Sequence, residues 1–187
     1  MIKYMINPCN GCKATCCKNY VITVTSFDVI EIAQKTNRNY LEFAELYPAR
    51  LLNYDWDTVL QCYNATDQAK LPTYHLLAIK SHPCFFLKNN WCSIHDFAPF
   101  ICRQYPYTLS GKELMKRHCS FLSHCIFYLK GPTDSKYAWR IPAYKKIVKE
   151  WNSKKGDKTE CIEFLIKKSY ELVNKLVLNN NYFQKSV

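Results

Sequence analysis

Cysteine is the residue that could do chemistry here. The chain of 187 residues holds eleven, and eight of them fall into two groups. The first is Cys9-Asn10-Gly11-Cys12-Lys13-Ala14-Thr15-Cys16-Cys17, four thiols within nine residues. A two-residue gap lets Cys9 and Cys12 turn both sulfurs toward one ion, the usual bite in zinc and iron–sulfur sites. Gly11 admits a positive φ, so backbone N–H groups can point at sulfur. Adjacent residues such as Cys16 and Cys17 rarely place both sulfurs on one ion. They divide more naturally between a cluster and a second site, or between a ligand and the core. The second group is Cys84, Cys92, Cys102 and Cys119. The run from Cys84 to Cys92 reads as a tight hairpin turning at Lys88 to Asn90, which would bring its two thiols together. A further hairpin about Ser110-Gly111, if long enough, sets Cys102 opposite Cys119. Cys62, Cys125 and Cys161 stand apart and read as core residues.

Histidines 82, 95 and 118 could each complete a site, since imidazole binds zinc and iron, though a single histidine is more often structural. Arg103 could hydrogen-bond to sulfur or bind an anionic cofactor or substrate. The plainer reading pairs it with Asp96. Asp28 reads as a helix cap.

The start of the chain lacks an apolar signal segment, and no stretch approaches the roughly eighteen apolar residues of a membrane helix. The expectation is a cytoplasmic protein with no membrane partner. There thiols stay reduced, so clustered cysteines read as metal ligands or catalytic groups before disulfides. The net charge of +11, from 26 Lys+Arg against 15 Asp+Glu, suggests an anionic partner such as nucleic acid. Metal-bound thiolates would cancel part of it. Several patterns are excluded. A second Cys-x-x-Cys is absent, as in no rubredoxin or zinc ribbon. Ferredoxin spacing would need cysteine at Thr15, and the Cys-x-x-x-Cys-x-x-Cys of radical enzymes fails at Asn19. The four glycines form no Gly-x-Gly-x-x-Gly loop.

These groups need elements to hold them. Val21 to Val24 reads as a short strand. Thr25-Ser26-Phe27-Asp28 is a capping box that should start a helix through about Lys35, and Asn39 to Glu42 should start a second to about Tyr47, ended by Pro48. Segments 58–63 and 74–79 look like strands. Ile141 to Trp151 and Thr159 to Leu178 read as helices, the latter with Ile162, Leu165, Ser169, Leu172, Val173 and Leu176 as its apolar stripe. Residues from Asn179 onward should fray. The expected fold is α+β, helix-dominated, a single domain with short strands and hairpins around an irregular cysteine-rich core. Residues 1–132 would form the metal-binding unit and 133–187 a helical extension packed on it.

Together, Cys-x-x-Cys...Cys-Cys leading into Val21 to Asp28, then Cys84-Phe85-Phe86-Leu87, Cys92-Ser93-Ile94-His95-Asp96, Pro99 and Cys102-Arg103-Gln104-Tyr105-Pro106, resemble the YkgJ-type cysteine-cluster family of zinc- or iron-chelating domains. The resemblance spans roughly residues 7–120. It departs from the family pattern in having three residues before the double cysteine and Ala98-Pro99 in place of Arg-Pro. It implies metal ligation by Cys9, Cys12, Cys16, Cys17, Cys84, Cys92 and Cys102, with Cys119 where the family often has a further cysteine. The implied cofactor is an iron–sulfur cluster, 4Fe-4S favoured, or Zn. The related cluster domain of flagellin lysine-N-methylases, longer proteins, implies an alternative: a methyltransferase using S-adenosylmethionine on a protein substrate. A zinc-stabilised basic nucleic-acid-binding module is the third reading.

Overall fold

The structure, a computed structural model, describes residues 14–52, 56–64, 71–80, 83–104 and 139–184. In chain order its elements are α1 (Thr15–Asn19), β1 (Ile22–Thr23), α2 (Ser26–Thr36), α3 (Tyr40–Phe43), β2 (Ala44–Pro48), β3 (Leu60–Tyr63), β4 (Pro72–Ile79), β5 (Leu87–Lys88), β6 (Trp91–Cys92), α4 (Phe100–Gln104), α5 (Arg140–Lys154) and α6 (Lys158–Gln184). The fold is α+β: helices dominate, and the strands are short and antiparallel. Among the described residues no helix is long and apolar enough to cross a membrane.

Strand β4 organises the sheet. Its run from His75 to Ile79 is buried without a break, so it needs neighbours on both edges and cover on both faces. On one edge β2 pairs with it from Ala44↔Ile79 to Pro48↔His75. The other edge is shared by β1, paired Ile22↔Ile79, and β3, paired Leu60↔His75. Alternation then sorts the side chains. Leu77 and Ile79 join Leu46, Leu60 and Cys62 in the main core, covered by α2, α5 and α6. Leu76 points the other way, into a small cluster with Ala49 and Val59.

The capping box at Thr25 forms as expected. Thr25 Oγ1 accepts the Asp28 N–H at 3.2 Å, and Asp28 Oδ2 accepts the Thr25 N–H at 3.0 Å. The box at Asn39 also forms, but its helix lasts one turn rather than running to Tyr47. From Ala44 the chain alternates and pairs along β4 instead. A five-residue ladder to a fully buried strand outweighs a locally capped helix start. The hairpin at Lys88 to Asn90 is present. Asn89 and Asn90 both have positive φ, 49° and 62°, the two-residue turn that suits the right-handed twist of β5 and β6.

The C-terminal helices close the free edge of β3. The Asn152 side chain accepts the Gln61 N–H at 2.8 Å and donates to the Val59 carbonyl at 2.9 Å. Trp151 Nε1 donates to the Gln61 carbonyl at 3.0 Å, and Tyr63 N–H donates to the Gly156 carbonyl at 3.0 Å. Helix α5 thus stands in for a missing strand, capping an edge that would otherwise invite another chain. Trp151 is wholly buried beneath this seam. In α6 the buried face is Cys161, Leu165, Ile166 and Ser169, while Leu176 at the end of the expected stripe is 45% exposed. Ser169 exchanges a 2.6 Å hydroxyl hydrogen bond with Ser26 at the start of α2. Helix α6 also continues through Gln184, past the point where fraying was expected.

Two outcomes are expected. Asn152→Ala leaves two backbone groups of β3 without partners and should cost about 1–3 kcal/mol. In a thermal melt that is a fall of about 2–4 °C per kcal/mol for a chain of this size. Gly156→Ala would press a Cβ into the Trp151 ring. That ring is locked in the core, so the variant should melt lower, with Trp fluorescence shifted to the red.

Candidate metal centre

The double cysteine sits on α1, one turn of helix entered through Ala14 at φ 55°. Lys18 N–H and Tyr20 N–H close that turn onto the carbonyls of Ala14 and Cys16. Cys16 Sγ lies 3.9 Å from Cys17 Sγ. The turn is tied to the second group directly: Cys84 N–H donates to the Cys17 carbonyl at 2.8 Å. Cys84 stands in the tight turn that leads into β5, its carbonyl accepting the Leu87 N–H at 2.8 Å. Across the hairpin, Cys92 on β6 pairs in register with Leu87. Cys102 comes from α4, whose first turn is closed by Cys102 N–H and Arg103 N–H on the Pro99 carbonyl. Cys102 is helical, while Cys119 and the hairpin expected about Ser110-Gly111 lie outside the described residues. Pro99 before Phe100 starts a helix there.

The five described sulfurs feel one another. The Cys102 thiol is pushed well up, first by burial and then by Cys16, Cys84 and Cys92. Burial raises Cys84, with added repulsion from Cys92 and Cys16, and it raises Cys92, with repulsion from Cys16. Between the adjacent residues, the thiol–thiol hydrogen bond brings Cys16 down to about 7 and drives Cys17 up. A crowd of partly buried thiols can share at most a little negative charge unless a cation sits among them. All-sulfur donors of this kind suit zinc or an iron–sulfur cluster. Among the described residues no group of three or more His, Cys, Asp or Glu side chains stands close enough together to hold a metal ion. Cys9, Cys12, Cys119, His82 and His118 lie outside the described residues.

A second thiol pair sits elsewhere. Cys62 on β3 and Cys161 on α6 are both buried in the main core, as expected for core residues. Their thiol–thiol hydrogen bond, with help from His75 and Trp151, lowers Cys62 to about 5 and raises Cys161. Cys125 lies outside the described residues.

A charge network that local sequence patterns do not reveal joins α2, α4 and α5. Arg140, the first residue of α5, places Nη1 2.7 Å from Glu31 Oε2 and 3.7 Å from Asp28 Oδ1. Arg103 Nη2 stands 3.9 Å from Glu31. The pairing expected between Arg103 and Asp96 is replaced by this one. Helix α4 turns Arg103 toward α2, while the Asp96 side chain is 96% exposed, with His95 Nδ1 at 3.8 Å. Asp28 does cap α2, but it is also fully buried, and desolvation raises its carboxyl against the pull of Thr25 and Arg140. The sequence signal for this was half present. The Thr25–Asp28 box was visible, but its cation lies in a helix more than a hundred residues on.

No curated protein and no solved structure matches the chain. A family model does, over residues 8–120, the CxxCxxCC family, whose description reads "Putative zinc- or iron-chelating domain". That span includes both cysteine groups and covers more than half of the chain, and the chain belongs to this family of zinc- or iron-chelating cysteine-cluster domains.

Proposed function

We propose that the chain holds a thiolate-bound metal centre, an iron–sulfur cluster of the 4Fe-4S type or zinc, between its two cysteine groups. The ligands in this reading are drawn from Cys9, Cys12, Cys16, Cys17, Cys84, Cys92, Cys102 and Cys119. The observation that carries it is the 2.8 Å bond from Cys84 N–H to the Cys17 carbonyl, which stitches together two cysteine groups far apart in the chain. Crowding of the iron–sulfur type is favoured by the number of thiols, more than one zinc needs. When bound, the metal supplies the positive charge that lets neighbouring thiols ionise together. Helix α1 and the hairpin carry the sulfurs, and Phe86 and Ile94 belong to the buried core cluster that includes Cys84 and against which Cys17, Cys92 and Cys102 pack. In this reading residues 1–132 are the metal-binding unit and 133–187 the helical extension. Methylation of a protein lysine with S-adenosylmethionine, with Arg103 as a cofactor-binding residue, and nucleic-acid binding through the basic surface are carried by no structural observation here. Calorimetry with S-adenosylmethionine and a salt-dependent shift with tRNA decide them.

The test is purification of reduced protein without oxygen. Brown material absorbing near ~400 nm identifies iron–sulfur, and colourless material with stoichiometric zinc identifies zinc. Metal-free preparations of the wild type would remove the proposal. Cys16→Ser, Cys84→Ser and Cys102→Ser should each lower bound metal per chain, whereas Cys62→Ser should leave it at the wild-type level. Loss of metal in Cys62→Ser alone would place the centre elsewhere. Stripping the metal with a chelator should lower the melting temperature, because metal binding contributes folding free energy.

A further inference from the structure

Asp28 has two oxygens with two different duties. Oδ2 accepts the Thr25 N–H at 3.0 Å and the Thr25 hydroxyl at 2.8 Å, which completes the cap of α2. Oδ1 is not needed for that cap. It accepts the Phe100 N–H at 3.2 Å, at the first residue of α4, and stands 3.7 Å from Arg140. A capping carboxylate normally faces water, and burying one is costly unless it is fully engaged. Here it is engaged from three elements at once. Helix α4 has only five residues, too few to define its own direction. Whatever fixes its first N–H therefore aims its side chains, and Cys102 is two residues along.

We propose that Asp28 is a positioning residue for Cys102: its Oδ1 anchors the first turn of α4 and so sets where the Cys102 sulfur stands, while Arg140 balances its charge. This rests on the metal reading above. It also makes the C-terminal helices contributors to the centre, because Arg140 lies beyond the span matched by the family model.

The probe is Co(II) added to reduced, metal-free full-length chain under anaerobic conditions. Sulfur-to-cobalt charge-transfer and ligand-field bands report how many thiolates bind and in what geometry. Asp28→Asn keeps the volume but offers one acceptor oxygen where two are used. It should bind Co(II) about 10- to 100-fold more weakly, with altered bands, at temperatures well below its melting point. Thr25→Val is the control for a merely structural role. It removes the hydroxyl of the cap but leaves the bond to Phe100, so it should melt earlier yet give the wild-type spectrum. An Asp28→Asn variant with wild-type bands and affinity overturns the inference, as does a Thr25→Val variant that loses them equally. If Asp28→Asn does not fold, Arg140→Gln takes its place, with the same direction of change expected and an unchanged spectrum overturning the inference. Wild-type chain that takes up no Co(II) removes the metal reading and this inference together. Wild-type binding beside an unaltered Asp28→Asn removes this inference alone.

Discussion

Like charges at close range in a partly dry site repel, and that constraint governs the region between α1 and the β5–β6 hairpin. Five thiols are gathered there by backbone bonds that do not depend on their protonation: Cys84 N–H on the Cys17 carbonyl, the α1 turn, the hairpin and the first turn of α4. Burial and neighbouring sulfurs raise Cys17, Cys84, Cys92 and Cys102, while the thiol–thiol hydrogen bond from Cys17 lowers Cys16. Left alone, such a group stays mostly protonated and inert. A soft cation reverses the balance, because it makes ionisation of several thiols mutually favourable. The scaffold thus pre-pays the entropy of assembling the donors, and the ion supplies the electrostatic term.

The same reasoning bears on the charge of the chain. A net +11 looks like a surface seeking polyanions. Some of that charge is spent inside. Arg140 is directed to Glu31 and Asp28, and Arg103 to Glu31. Lys145, Lys154 and Lys168 pair with Asp57, Glu160 and Glu150 on the outside of the helical pair. Formal charge counted along the chain therefore overstates the free positive surface, and bound thiolates would reduce it further.

What could be read from the sequence followed the range of the interactions involved. Thr25 to Asp28, Asn39 to Glu42 and the Asn89-Asn90 turn are local, satisfied within a few residues, and each formed where expected. The two C-terminal helices announced themselves by periodicity. The failures were all non-local. Ala44 to Pro48 became a strand because β4 offered an edge, a partner some thirty residues away that no cap or propensity encodes. Arg103 chose Glu31 over nearby Asp96 because a helix, not a strand, carries it. Ser169, read as a member of an apolar stripe, is buried through a hydroxyl pair with Ser26. For the candidate site, grouping of cysteines in sequence was legible. The pairing of Asp28 and Glu31 with Arg140 was not, since that cation comes from far along the chain.

That distance changes how the C-terminal third should be regarded. The family model ends at residue 120, and everything after could be taken for an appendage. Physically it is not separable. Without α5, the edge at β3 would show the Gln61 N–H and carbonyl and the Val59 carbonyl bare. Trp151, Cys161 and Leu165 would be missing from the middle of the main core, not from its rim. Asp28 and Glu31 would lose their closest cation. Each loss is of a kind that costs more than a surface contact: an open edge, a cavity, an uncompensated buried charge. The cysteine-bearing segment therefore shares its core and its charge balance with the C-terminal helices.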